Sequence, residues 1–231
     1  MAAAANLRDR LPGLDYRFRE PALLQQALTH RSYSSRHYER LEFLGDGLLN
    51  FVAADLLYQA RFEAPEGDLS RMRARIVRDS TLAEIAADLE LGRYLRLGEG
   101  ELRSGGFRRE SILADALEAV FGAIYLDSDF ATARRVIAEV VASRIQGLPD
   151  ADALKDSKTR LQELLQGQGI ALPEYRLVSE SGADHAKCFR VACHVALLEE
   201  PVVAEAAGRR KAEQAAAALV LERLEAPDPG P

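Results

Sequence analysis

Residues 39–52 read ERLEFLGDGLLNFV, and three carboxylates, Glu39, Glu42 and Asp46, stand there in one of the most apolar stretches of the chain. Spacings of three and four match the ~3.6-residue turn of a helix, so the three share one face. Leu41, Phe43, Leu44, Leu48, Leu49 and Phe51 surround that face, which predicts a helix packed on most sides. Ionised carboxylates in such surroundings call for a positive counterpart. A second segment, SILADALEAVFGAIYL, repeats the pattern: Asp115 and Glu118 are three apart and flanked by Leu113, Ala116, Leu117, Val120 and Phe121. For one such pair a neighbouring arginine is the ordinary answer, and Arg40, Arg71, Arg73, Arg75, Arg108 and Arg109 are available. Two pairs on two apolar helices shift the balance to a metal. Two carboxylates ~4 to 5 Å apart repel by about 3 to 4 kcal/mol at an effective dielectric of about 20. A hard divalent cation bound through oxygen removes that cost. Ligation by carboxylates alone favours magnesium or manganese over zinc. A di-iron bundle needs Glu-x-x-His pairs, and the chain has none.

The rest of the chain divides by its grammar. Residues 1–146 read as helix after helix, through PALLQQALTH, the opening stretch, STLAEIAADLEL, SILADALEAVFGAIYL and FATARRVIAEVVASRI. Residues 157–226 change period: SKTRLQELLQGQG reads as a capped amphipathic helix, EYRLVSES and KCFRVACHVAL alternate as strands, PVVAEAAG supplies a third, and GRRKAEQAAAALVLERL closes as a helix. The expected fold is an all-α domain over 1–147, a linker over 148–156, a small α+β domain of order α-β-β-β-α over 157–226, and a disordered tail over 227–231.

Charge and cysteine content narrow the setting. The net charge is −6, and neither part is basic: residues 1–154 carry 20 basic and 24 acidic side chains, residues 155–231 carry 10 and 12. Any polyanionic partner must therefore be held by local patches. No stretch reaches the ~20 apolar residues of a membrane span, and the N-terminal MAAAANLRDR lacks the basic leader and long apolar run of a secretory signal. Cys188 and Cys193, five apart on one strand, point to opposite faces and do not bridge, which suits a reducing cytoplasmic setting.

Three segments, HYERLEFLGDGLL, EGDLSRMRARIV and SGGFRRESILADALEAVFGAIYLD, together resemble the ribonuclease III family, endonucleases specific for double-stranded RNA. The resemblance spans residues 7–225 and implies an all-α nuclease domain followed by one double-stranded-RNA-binding domain. It implies magnesium-dependent cleavage, with manganese able to substitute, by a homodimer that leaves 5′-phosphates, 3′-hydroxyls and short 3′ overhangs. Cellular roles in maturing ribosomal RNA precursors and trimming structured messenger RNA come with it. Carried onto this chain, it makes Glu42, Asp46, Asp115 and Glu118 the metal ligands, with Asp46 and Glu118 catalytic, and gives Glu39 and Glu66 auxiliary, substrate-positioning parts. The family pattern is left at two places: Tyr38 stands where asparagine is common and Gly47 where serine is usual.

GRRKAEQAAA puts Arg209, Arg210 and Lys211 at a helix start, where free N–H groups and the dipole already favour phosphate. By the resemblance they form a phosphate clamp across the major groove. Thr159, Gln162, Glu163 and Gln166 would face one minor groove, and His185 the next, with Lys187 a weaker candidate. Two other readings stand beside this one. A duplex-RNA binder that no longer cuts would not need four acidic ligand positions. A metal-independent nuclease would use His30 and His37 as acid and base and would survive chelation.

Overall fold

A computed structural model describes residues 7–149, 156–182 and 187–225. The chain divides between Pro149 and Asp150 into two compact units. Among the described residues the first is built of helices, α1 (Pro21–Ala27), α2 (Glu39–Ala60), α3 (Glu66–Ile76), α4 (Asp79–Asp88), α5 (Glu99–Arg103), α6 (Glu110–Asp127) and α7 (Phe130–Gln146), with two short 3-10 turns flanking α5 and one isolated bridge between Thr29 and Arg96.

Helix α6 is the axis of this unit. Eleven of its residues, from Ile112 to Ile124, are buried, and α1, α2, α4 and α7 all pack on it. Its end is tied to the N-terminal segment, because Asp127 accepts from the Tyr16 hydroxyl at 2.6 Å and from the Arg19 and Glu20 N–H groups at 2.7 and 2.8 Å. Helix α7 starts on an Asp129 cap, whose carboxylate accepts from Thr132 N–H at 2.8 Å, and Arg134 clips it to Asp55 of α2 at 2.6 Å.

Helices α2 and α6 touch backbone to backbone. A Cβ on Gly45 would stand 1.8 Å from the Glu118 carbonyl oxygen, and one on Gly122 would stand 2.2 Å from that of Leu41. Only two glycines permit this crossing. It faces the acidic turn of one helix with that of the other, and so it creates the site.

One expectation about α2 is corrected. The helix is not packed on most sides: Leu41, Leu49, Val52, Ala53 and Leu57 are buried, but Phe43 is 82% exposed, Phe51 58%, Tyr58 72% and Phe62 83%. An apolar residue shows in the sequence that it seeks burial, not what will bury it.

In the second unit α8 (Ser157–Gly167) and α9 (Arg209–Glu225) pack with an antiparallel sheet of β1 (Glu174–Ser181), β2 (Cys188–His194) and β3 (Val202–Ala206), in the order β1-β2-β3. Tyr175 pairs with Cys193 and Phe189 with Ala206, and a bulge interrupts β1 between Leu177 and Ser179. Leu161 and Leu165 of α8 meet Cys193, Val202 and the Ala216, Ala217, Val220 stripe of α9 in one core. The alanines let α9 lie close to the sheet. Both cysteines are free thiols.

Candidate functional site

The sequence places Glu42 one helical turn after Glu39, and Asp115 one turn before Glu118; the glycine crossing does the rest. Ligand oxygens of Glu42, Asp115 and Glu118 all lie within 4.8 Å of one another. Among the described residues no lysine or arginine forms an ion pair with any of them or with Asp46. Arg71 pairs with Asp68, Arg109 with Glu101 at 2.6 Å, and Arg31 reaches Glu39 at 3.4 Å. Among the described residues the arginine alternative, weighed against a metal, does not form at Glu42, Asp115 or Glu118.

Titration carries the mark of this crowding. Burial, then the charges of Asp46, Asp115 and Glu42, push the Glu118 carboxyl up to about 8. Burial and the charges of Asp115, Glu39 and Asp46 push Glu42 up to about 7. Asp115 is raised as well, by burial and then by Asp79. Groups that resist ionisation together, and among the described residues form no ion pair with a cationic side chain although Arg31 acts on Asp115 from nearby, fit a hard divalent cation held by oxygen.

Asp46 stands slightly apart. It is exposed, and Asn50, one turn on, donates to its Oδ1 at 2.7 Å. Its charge nevertheless acts on Glu118 and Glu42. Glu39 lies on the wall of the adjoining cavity, which has room for about 590 Å³ and is lined by His30, Arg31, Tyr38, Glu101, Arg109 and Asp115 among others. Glu66 is not brought to the cluster; it begins α3 and accepts from the Ser70 hydroxyl at 2.6 Å. The two histidines of the rival reading are in structural contacts. The His30 ring stands 5.7 Å from that of Tyr38, its Nδ1 accepting Ser32 N–H at 3.1 Å, and His37 Nδ1 is 3.8 Å from Glu39.

Four participants escaped sequence reasoning. Gly45 and Gly122 interrupt apolar helical runs, a pattern that signals close helix contact. Asp79, at the start of α4, adds its charge to Asp115 and Glu118, and nothing in its sequence surroundings sets it apart. Tyr38 was visible only as a departure; in the fold its ring is buried under the cluster with its hydroxyl 3.4 Å from Asp115 Oδ2.

On the second unit, Gln162, Glu163 and Gln166 lie exposed along α8, with Thr159 half-buried on the same side, opposite Leu161 and Leu165. Arg209, Arg210 and Lys211 are exposed in the first turn of α9. Arg209 is steadied by Glu213 at 3.2 Å. Lys158 joins α8 to α9 through Glu213 at 2.7 Å and lies 4.4 Å over the Tyr175 ring. Lys187 pairs with Glu180 at 3.0 Å, and His185 falls outside the described residues.

Comparison with known proteins agrees with this arrangement. Residues 20–145 match the family model described as ribonuclease-III-like, and residues 157–224 match the double-stranded RNA binding motif. The chain is 55% identical over 216 residues to a Bordetella petrii protein named Ribonuclease 3, covering 94% of this chain and 86% of that one. It is 54% identical over 211 residues to the Vibrio cholerae protein of that name, covering 91% and 94%. The nuclease domain of ribonuclease III from Campylobacter jejuni, in a structure concerned with flexibility where its dimer forms, superposes with a TM-score of 0.55 at 40% identity. It covers 55% of this chain and 90% of that one. A helical nuclease domain followed by a duplex-RNA-binding motif defines an endoribonuclease of double-stranded RNA. The chain belongs to the ribonuclease III family.

Proposed function

We propose that this endoribonuclease hydrolyses duplex RNA in a magnesium-dependent reaction at Glu42, Asp46, Asp115 and Glu118, with manganese as a substitute. The observation that carries the reading is the trio of carboxylates within 4.8 Å with no cationic side chain paired to it. The cation, when bound, supplies Lewis-acid polarisation of the phosphoryl oxygen and lowers the pKa of a bound water. The chain's part is to hold and orient. Glu42 and Asp115 are ligands, Asp46 and Glu118 also serve the reacting water, and Asn50 fixes the Asp46 carboxylate. Glu39 and Glu66 position substrate. Water oxygen joins phosphorus as the bond to the 3′-oxygen breaks, leaving 5′-phosphate and 3′-hydroxyl ends.

Two centres, one per subunit of a homodimer, would cut both strands with a short 3′ overhang. The exposed row of Phe43, Phe51 and Tyr58 on α2, with Phe62 just beyond its end, supports that assembly, as does the dimer-forming Campylobacter jejuni domain. In the second unit, Thr159, Gln162, Glu163, Gln166 and His185 are assigned to minor-groove contacts and Arg209, Arg210 and Lys211 to phosphates. We assign the domains to 1–147 and 157–226. The cellular substrates proposed are ribosomal RNA precursors and structured messenger RNA in the cytoplasm; no helix among the described residues is long and apolar enough to cross a membrane.

The test is cleavage of a long perfect RNA duplex with magnesium, with excess chelator, and by Glu118→Gln, with product ends mapped. Magnesium-dependent cuts bearing 5′-phosphates, lost in the variant while duplex binding persists, are expected. Cleavage that survives chelator would overturn the reading and favour histidine chemistry.

A further inference from the structure

Tyr38 occupies an unusual place for a large polar side chain. It caps the start of α2, its carbonyl accepting from Leu41 and Glu42 N–H at 2.7 and 2.9 Å, while its own N–H donates to the Thr29 carbonyl at 3.0 Å. The ring is 2% exposed, among the largest fully buried side chains of the chain. Its hydroxyl emerges at the floor of the cavity that Glu39, Glu42 and Asp115 also line, 3.4 Å from Asp115 Oδ2. A buried phenol needs a partner for its O–H, and here the partner is a carboxylate of the cluster.

The contact constrains Asp115 more than Asp115 constrains the tyrosine. The ring is fixed by its burial and by the three hydrogen bonds of its backbone, so the phenol oxygen has little freedom. Asp115, by contrast, is one residue on the rim of α6 with two equivalent oxygens and, among the described residues, no other hydrogen bond to its carboxylate. A donor held on Oδ2 restricts the rotamer of a carboxylate that has one ligand oxygen within 4.8 Å of those of Glu42 and Glu118. Groups behind a ligand act on metal affinity in this way, by setting the orientation before the ion arrives.

We propose that Tyr38 is a positioning residue for divalent-cation binding: its buried hydroxyl holds the Asp115 carboxylate in the ligand orientation. This rests on the metal-site reading above. The departure at Tyr38 thus supplies an O–H donor to the cluster from the floor.

Tyr38→Phe removes one oxygen and keeps the ring in its slot. The test measures manganese binding to the full chain without RNA, by electron paramagnetic resonance, beside the magnesium dependence of duplex cleavage and the thermal transition in chelator. In the variant, manganese affinity is expected to fall about tenfold, at the lower end of the usual range for a group behind a ligand. Half-saturating magnesium for cleavage should rise by a similar factor, excess magnesium should restore most of the lost rate, and the metal-free melting temperature should stay close to that of the parent. Unchanged manganese affinity in the variant, against clear binding by the parent, overturns the part given to Tyr38 and leaves the site standing. Absence of manganese binding by the parent overturns both. A variant that loses affinity together with its folded transition, and is not rescued by excess magnesium, shows that Tyr38 only fills space, which also overturns the proposal.

Discussion

Glu118→Gln should make the metal-free protein more stable while destroying its activity. Ligand oxygens of Glu42, Asp115 and Glu118 lie within 4.8 Å of one another. At that separation a pair of full charges repels by about 3.5 kcal/mol at an effective dielectric of about 20. Burial first, and that repulsion with it, push the Glu118 carboxyl from its ordinary 4.5 up to about 8. Taken whole, such a shift is worth about 5 kcal/mol. Glu118 opens partly to solvent, so screening brings the recoverable part to about 1 to 2 kcal/mol. The sign follows from proton binding. Between pH 4.5 and 8 the folded state holds the Glu118 proton more tightly than the unfolded chain, so metal-free stability falls as pH rises through that window. Glutamine removes the charge and flattens that fall. Scanning calorimetry of the full chain in chelator at pH 8 should show the nuclease transition about 3 to 6 °C higher in the variant. The difference should vanish well below pH 4.5, where Glu118 is protonated in both states. Added manganese should raise the parent's transition more than the variant's. Equal melting temperatures at pH 8 would refute the repulsion argument.

Other perturbations follow from the same geometry. Gly45→Ala places a Cβ where the Glu118 carbonyl already stands, so α2 must move off α6. Denaturant titration should show a loss of about 3 kcal/mol or more, with weakened manganese binding; wild-type stability would mean the crossing is looser than described. Replacing Arg209, Arg210 and Lys211 with alanine should weaken duplex binding and reduce the slope of log affinity against log salt by about 2. An unchanged slope would remove the patch from the phosphate contacts. Phe51→Glu, at the middle of the exposed α2 row, should give a monomer in sedimentation analysis and lose cleavage; a dimer that still cuts would place the subunit interface elsewhere.

Much of this fold is written in periodicity. The strands of the second unit could be read because EYRLVSES and KCFRVACHVAL alternate between turn residues, and its closing helix because Ala212, Ala216, Ala217 and Val220 recur on one side. Helix α3 did not stand out by period: its buried set is Asp68, Met72 and Ile76, a thin stripe in an arginine-rich segment. Glu42, Asp115 and Glu118, which the fold brings together, stood out as candidates because acids at helical spacing in apolar runs are costly. What could not be read was distance between helices. That Gly45 and Gly122 are contact points and that Asp79 adds its charge are facts of tertiary placement.

The glycine crossing also fixes how the site responds to motion. Glu42 lies three residues from Gly45, and Glu118 four from Gly122, a rise of about 5 to 6 Å along each axis. If α2 rocks against α6 by about 10°, that lever arm displaces each carboxylate by about 1 Å, while Ala60, fifteen residues from Gly45, swings by about 4 Å. The cluster sits near the fulcrum. Thermal rocking is therefore spent at the free ends of the helices, and the spacing that a small cation would sense stays nearly constant.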